Sequence, residues 1–313
     1  MAGPRANAIA SGGYAINETQ NTAIFQYALQ LKRDGRADDT ITTNVKLLKR
    51  LARVTDIMQP ETVKDIIANC KWSNNTKRNS AKMYNTFLKY MKIEWKRPDY
   101  KEEQIIPFIP TETEIDQLIA ASRIHTGALL QFLKETGARV GEATQLKWTS
   151  LDLERKTVYI KAEKGSNPRL LPISNKLIGM INLIPKKTDK TDRIFYGAKN
   201  AYRTTLSSVK RTVARRTNNP RILQIHFHTL RHWKATMEYH KTKDIIHVKQ
   251  VLGHKDIEST MVYINIEQAT FLSEADEWTC RTAVNAQEAI MLIEAGFQYV
   301  TTIEGIQLFK KRK

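Results

Sequence analysis

Apolar residues in the first third of the chain recur at three- and four-residue intervals. Ile24, Tyr27 and Leu31 have this spacing, and three further segments repeat it before residue 95. Such a period is typical of helices that bury one face. Residues 17–95 are therefore predicted to form a bundle of four short helices. The small and polar residues 1–16 before them are predicted to be a disordered N-terminus.

A different pattern occupies residues 96–110, which hold three prolines and mixed charges without a helical period. This composition is typical of a linker. Immediately after it, Thr111 and Glu114 have the spacing of a capping box, which predicts that a new helix begins there. We therefore expect a second domain from residue 111 onwards.

The second domain combines helical periods with one β pattern. Residues 157–160 and 169–173 are short apolar segments joined by a turn-rich connection, which predicts a β-hairpin. Helical periods continue from there to about residue 271. The fold class expected is mainly α with a small β-hairpin or sheet (α+β), with a domain over residues 111–273. Residues 274–313 are predicted to be an extension that holds one more helix and another hairpin.

The composition adds a partner class. Apolar residues make up 41% and charged residues 26% of the chain, as in globular proteins generally. Fifty lysines and arginines face only 32 aspartates and glutamates, which leaves a net charge of +18. The excess is +7 in residues 1–110 and +11 in residues 111–313, so both parts are basic. A surplus this large indicates an anionic partner, either nucleic acid or a membrane surface.

Two further observations favour nucleic acid in the cytoplasm. No stretch approaches the roughly 18 consecutive apolar residues of a spanning helix, and the N-terminus lacks the apolar core of a secretory signal. Cys70 and Cys280, the two cysteines, are far apart in sequence. They exclude a disulfide scaffold and a four-cysteine zinc site, and they fit a reducing compartment. We expect a cytoplasmic, nucleic-acid-binding protein with no membrane interaction.

One candidate site is the segment His228-Thr229-Leu230-Arg231. Thr229 is predicted to cap a helix, which would place Arg231 in the first turn, where the helix N-terminus adds partial positive charge. A histidine and an arginine at such a terminus suit a phosphate group. Taken alone, the segment more often represents a self-capping histidine and a surface arginine.

Three other segments carry candidate chemistry. Gly253 is predicted to end a helix, and the nine residues from His254 to Tyr263 allow both side chains to face one pocket. Arg139 lies at another helix start with Glu142 three residues on, a spacing that also suits an ordinary salt bridge. Lys164 lies at the tip of the predicted hairpin, where lysines are usually just solvated.

Together these segments resemble the tyrosine recombinase family, which includes phage integrases and chromosome-dimer resolvases. The resemblance covers residues 17–273 and is strongest in TGARVGEATQLKW, HTLRH and LGHKDIESTMVY. The long C-terminal ending is similar to that of archaeal integrase-like proteins. The family fold implies a helical core-binding domain over residues 17–95 and a catalytic domain over residues 111–273.

The resemblance also implies a mechanism. Tyr263 would attack a DNA phosphate and form a 3′-phosphotyrosyl intermediate with a free 5′-hydroxyl. The other implied roles are phosphate donors (Arg139, Arg231 and His254), a proton acceptor (His228), a general acid (Lys164) and a supporting carboxylate (Glu142). No cofactor and no metal are implied, since the arginines balance the phosphate charge. Double-stranded DNA is the expected partner, with a homo-tetramer on synapsed DNA.

Two other functions compete with recombination. A type IB topoisomerase-like enzyme would use the same tyrosine chemistry to relax DNA, and a non-catalytic DNA-binding protein would keep only the affinity. A metal site at His226, His228 and His232 is disfavoured, because this spacing does not place three imidazoles on one helical face. His226 and His232 are therefore expected to support or pack.

Overall fold

The computed structural model describes residues 16–103, 105–163, 165–185, 192–271 and 278–312. About 60% of the chain is helical and the sheets are small and antiparallel, which confirms the predicted fold class. The chain divides into two compact units, residues 1–105 and residues 106–313. None of the described helices is both long and apolar enough to cross a membrane.

The first unit is built from four helices, whose bounds are α1 Glu18–Arg33, α2 Asp38–Ala52, α3 Pro60–Asn69 and α4 Asn74–Met91. Local chemistry begins two of them. The Asn17 side chain accepts a hydrogen bond from the Gln20 N–H at 2.8 Å, and the Ser73 hydroxyl accepts one from the Thr76 N–H at 3.3 Å. Pro60 begins α3, where its missing N–H costs nothing.

The periodic apolar residues of these helices meet in one core. Leu51, Val63, Tyr84 and Phe87 are each fully buried in it. Burying one such side chain contributes about 1.5–3 kcal/mol, so the core rather than helix propensity stabilises the bundle. Truncating Phe87 to alanine should cost about 3–5 kcal/mol.

The second unit begins with the predicted capping box. The Thr111 hydroxyl accepts a hydrogen bond from the Glu114 N–H, and the Glu114 carboxylate accepts one from the Thr111 N–H at 2.8 Å. The helices of this unit are α5 Glu112–Ala120, α6 Ile124–Thr136, α7 Val140–Thr144, α8 Asn175–Asn182, α9 Lys199–Thr217, α10 Phe227–Thr242, α11 Ile245–Leu252, α12 Glu258–Phe271 and α13 Ala286–Glu294. Helix α6 is buried on nearly every side and forms the centre of the unit's main core.

Two three-stranded antiparallel sheets complete the second unit. The first consists of β1 Leu151–Asp152, β2 Thr157–Ile160 and β3 Arg169–Pro172, in that order. The second is ordered β4–β6–β5, with bounds β4 Trp278–Ala283, β5 Gln298–Ile303 and β6 Ile306–Arg312. The apolar pattern did not predict β1 or β4. β1 has two residues, too few to show alternation.

Candidate active site

Helix α10 begins one turn earlier than the sequence predicts. His226, not Thr229, is its N-cap. The His226 Nδ1 accepts a hydrogen bond from the Thr229 N–H at 3.2 Å, and the Thr229 hydroxyl accepts one from the His226 N–H, also at 3.2 Å. The prediction of Thr229 as the cap was wrong because an imidazole nitrogen can accept as an asparagine oxygen does. Arg231 consequently lies in the second turn, beyond the free N–H groups of the helix start.

Arg231 is 1% exposed and is held by two helix ends. Its Nη1 donates to the Gly137 carbonyl and its Nη2 to the Leu252 carbonyl, both at 2.8 Å. Gly137 ends α6 and Leu252 ends α11, where the helix dipoles are negative. Burial, and then the charges of Arg139 and Arg169, lower the pKa of Arg231, although a guanidinium remains charged at neutral pH.

Arg231 has more hydrogen-bond donors than its described neighbours use. A guanidinium has five N–H donors. Two of them have acceptors within the described ranges, and the buried Nε has none there. Buried donors normally find a partner, so this side chain has capacity for an additional acceptor.

Glu142 is hydrogen-bonded to two arginines, Arg139 and Arg169, near Arg231. Its side chain is fully buried and accepts from the Arg139 N–H at 2.9 Å and from the Arg169 Nη2 at 2.8 Å. Burial alone would raise the pKa of Glu142, but hydrogen bonds and the charge of Arg169 hold it below its usual value. The Arg139 side chain remains 29% exposed, so its guanidinium is accessible to a ligand.

The sequence did not identify Arg169 as a site residue. The feature that could have revealed it is an arginine at an inward-facing position of β3, where the residues alternate between buried and exposed. Such a position normally holds an apolar side chain, because a buried charge needs a partner.

His254 follows the helix end that the sequence predicts. Gly253 has the left-handed conformation at the end of α11, and His254 Nδ1 lies 2.8 Å from the Thr260 hydroxyl. Burial, with the charges of Arg231 and Arg139, lowers the pKa of His254 to about 3, so this imidazole is neutral. Its Nε2–H is then available to donate when Nδ1 accepts from Thr260.

The β2–β3 connection is fastened beside His254. The Ser166 hydroxyl and the Asn167 N–H both donate to the Gly253 carbonyl, at 2.8 and 2.9 Å. A Cβ on Gly253 would lie 2.6 Å from the Asn167 carbonyl oxygen, so only glycine permits this approach. Lys164, the predicted general acid, lies outside the described residues, and Ser166 is two positions away in the anchored part of the connection.

Tyr263 lies on α12 and is 2% exposed. Burial raises the pKa of its hydroxyl to about 12, against the opposing effect of Arg231 and Arg139. Its oxygen is 2.9 Å from His232 Nδ1. His228 is exposed and meets His232 edge-on at 4.6 Å between ring centroids. Among the described hydrogen bonds none joins His228 to Tyr263.

His232 is thus a site residue for which the sequence predicts only a supporting or packing role. The sequence feature that could have revealed His232 as a site residue is the spacing of four residues from His228, which puts both histidines on one face of α10. The predicted residues that the structure describes interact electrostatically at one place: Arg139, Glu142, His228, Arg231, His254 and Tyr263. His228 also meets His232 edge-on. Within the described ranges, no group of three or more His, Cys, Asp or Glu side chains could hold a metal ion.

Comparison with known proteins shows the family of the chain. The Phage integrase family matches residues 110–270, just over half of the chain. The chain belongs to the phage integrase family. Among its relatives is the tyrosine recombinase XerC of Bacillus pumilus, 30% identical over 186 residues that cover 54% of this integrase-family chain and 60% of the relative. The tyrosine recombinase XerA of Pyrococcus horikoshii is 22% identical over 250 residues, which cover 77% and 88% of the two chains.

Solved structures show the same fold. The XerH site-specific recombinase bound to palindromic difH substrate aligns with a TM-score of 0.58 and 19% identity, covering 87% of this chain and 92% of that one. The Tn1549 transposon integrase in complex with transposon right end DNA gives a TM-score of 0.60 at 12% identity, covering 81% and 99%. A lambda integrase tetramer bound to a Holliday junction gives 0.54 at 17% identity, covering 82% and 83%.

Proposed function

We propose that the protein is a site-specific DNA recombinase or integrase that cleaves and rejoins strands through a 3′-phosphotyrosyl intermediate. The observation that carries the proposal is a tyrosine hydroxyl enclosed beside an arginine with unused donors. Tyr263 and Arg231 are both buried, and Arg231 has capacity for an anionic acceptor. Family membership supports this function.

The arginines suit a phosphate that gains charge in the transition state. Arg139 is partly exposed and has the forked geometry that matches two phosphate oxygens. Arg231 lies buried and adds its remaining donors and its positive charge from beneath. Removing one such preorganised donor typically slows an enzyme by about 10²–10³-fold. His254 would donate its Nε2–H as a third group, and Glu142 would fix the direction of Arg139.

The nucleophile and the leaving group both need proton transfer. Tyr263 holds its proton tightly, since burial raises the pKa of its hydroxyl to about 12. A base must therefore take that proton as the bond to phosphorus forms. Lys164 would protonate the leaving 5′-oxygen, as the family resemblance implies. Its carrier loop is anchored at Gly253, beside His254. No cofactor or metal takes part in these steps.

Double-stranded DNA is the proposed substrate, and the chain would act in the cytoplasm as a tetramer on two synapsed sites. The net charge of +18 supports a polyanionic partner. Helix α9 adds a local reason: it holds six basic and no acidic residues, and four of its arginines are exposed (Arg203, Arg211, Arg215 and Arg216). The related structures named above are complexes with DNA, one of them a tetramer.

Covalent capture tests the function and identifies the target together. The protein is incubated with nicked duplexes of randomised sequence, denatured, and the DNA attached to it is recovered and sequenced. Wild type should retain a defined set of 3′ ends, whereas Tyr263→Phe should retain none while still binding duplex DNA. Capture of DNA by the phenylalanine variant would show that another residue is the nucleophile.

A further inference from the structure

The Tyr263 hydroxyl has a single described side-chain partner. Its oxygen lies 2.9 Å from His232 Nδ1, with the two rings inclined at 50° and 5.9 Å between their centroids. The two residues come from α12 and α10, which pack closely along this stretch. Tyr263 shares one small buried cluster with Ala235 and Ile266 there, so packing holds the tyrosine ring in place.

His232 is arranged to be a base and not a cation. Its side chain is half-buried. Burial first, and then the nearby His228, His226 and Arg231, lower the pKa of His232 to about 4. Burial also lowers the pKa of His228 to about 4, so both imidazoles are neutral and the contact with Tyr263 is what distinguishes His232. A neutral imidazole with its proton on Nε2 presents a lone pair at Nδ1, toward the tyrosine O–H.

We propose that His232, rather than His228, accepts the proton of Tyr263 when that hydroxyl attacks DNA. The inference rests on the proposed function and deepens it. In the step, the Tyr263 oxygen forms a bond to phosphorus and its proton moves to His232 Nδ1. The bond from phosphorus to the 5′-oxygen breaks, and Lys164 gives that oxygen a proton. The phosphodiester charge is conserved, and His232 leaves the step as an imidazolium.

The other histidines are less suited to this task. His228 has no described hydrogen bond to Tyr263 and meets His232 at its ring edge. His254 uses its Nδ1 for the Thr260 hydroxyl. His226 uses its Nδ1 to cap α10. Only His232 combines direct contact with a free acceptor atom among the described residues.

The surrounding charge makes this base dependent on DNA. The groups that face His232 are His228, His226 and Arg231 from α10 and its cap, and Tyr263 from α12. In the absence of DNA the positive charge there weakens the imidazole as a base. A docked phosphate brings negative charge to the same place and raises the proton affinity of His232. The nucleophile is thus activated only when its target is present.

A set of variants separates proton transfer from positioning. Single-turnover cleavage is measured on a duplex recovered by the wild-type protein, for His232→Ala, His232→Asn and His228→Ala. The asparagine amide reaches the place of Nδ1 and keeps a hydrogen bond to Tyr263, but it cannot take the proton. We expect both His232 variants to cleave about 10²–10⁴-fold more slowly, with unchanged DNA affinity and cooperative unfolding.

Two readouts distinguish a base from a structural contact. Added imidazole should restore His232→Ala by at least about tenfold and leave His228→Ala unaffected, since only the first variant lacks the base. The wild-type rate should fall as pH drops and His232 becomes protonated, whereas the His232→Ala rate should keep rising with pH as hydroxide replaces the base. Wild-type speed in His232→Asn, or imidazole rescue of His228→Ala instead, would overturn the proposal. Failure of the wild type to form any covalent link would instead refute the proposed function itself.

Discussion

The two units differ in what they bury. Among the described residues of the first unit, the buried polar side chains are uncharged: Gln20, Asn44 and Ser80. The second unit buries charged groups, namely Glu114, Lys134, Glu142, Arg169, Arg231 and Glu267. A buried charge is expensive even when it is paired, and an apolar residue of the same size is often no less stable. The second unit therefore accepts an energetic cost that the first avoids, which indicates where the chemistry lies.

Within the second unit the buried charges fall into two kinds. Glu114 caps α5 and pairs with Arg221, and Lys134 pairs with Asp116 at 2.7 Å, so both have structural roles. Arg231 differs, because its described hydrogen bonds end on neutral carbonyls and no ion pair of the described residues includes it. A buried cation without a direct carboxylate partner is poor for stability and well suited to a phosphate.

The largest expected effect concerns Glu142, the anion between two arginines. Glu142→Ala would leave Arg169 buried without its partner and should destabilise the second unit by about 3–5 kcal/mol. The matched change in the first unit is Glu61→Ala, which removes an exposed pair with Lys64 and should cost at most about 0.5 kcal/mol. Denaturant unfolding of both variants measures the difference, and equal losses of stability would contradict the contrast between the units.

The depressed pKa of the Glu142 carboxylate predicts that the stability of the fold depends on pH. The folded-state pKa of Glu142 is depressed, so its stabilising contribution is complete above the unfolded value of about 4.3 and is lost as pH falls through the folded value. Wild-type stability should decline over this acid range. Glu142→Gln, which cannot titrate, should show a shallower decline. Parallel profiles of stability against pH for the two proteins would show that Glu142 does not have this role.

Arg231 tests the distinction between functional and structural charges. Arg231→Met should slow covalent capture by about 10²–10³-fold, roughly 3–4 kcal/mol in the transition state. Lys134→Met also removes a buried cation, but one that is neutralised by carboxylates. It should lower the unfolding temperature and leave the rate per folded molecule unchanged. Comparable rate losses in both variants would show that burial of charge alone does not mark the site.

A smaller effect is expected on the surface of the second unit. Arg215 and Arg216 are exposed on α9, and replacing both with alanine should reduce the slope of log affinity against log salt by about one for each phosphate that is no longer neutralised. Arg155→Ala is the control, since this exposed arginine already pairs with Asp152. The slope is obtained from duplex binding at several salt concentrations. An identical slope in all three proteins would exclude α9 from the DNA-binding surface.

The smallest expected effect is that of a chelator. Because Arg139 and Arg231 supply the positive charge, cleavage should change by less than about twofold in excess chelator. The measurement is single-turnover capture with and without it. If chelation slowed cleavage and added magnesium or zinc restored the rate, a metal cation would be shown to supply positive charge alongside the arginines.

The amino-acid sequence by itself determined the features that depend on neighbours in the chain. The helical periods, the Thr111 capping box and the glycine that ends α11 involve residues three or four positions apart, so spacing alone predicts them. The family motifs likewise point to Arg139, Arg231, His254 and Tyr263 as site residues, whose roles remain predictions.

Only the tertiary structure decided which of these groups touch. His232 and Tyr263 are 31 positions apart, Arg169 and Glu142 are 27 apart, and Ser166 reaches Gly253 across 87. No periodicity encodes such pairs, because they depend on how α12 packs on α10 and how β3 packs on α11. The same packing brought His232, not His228, against the tyrosine hydroxyl, because residues on one helix face differ in depth once a second helix covers part of that face.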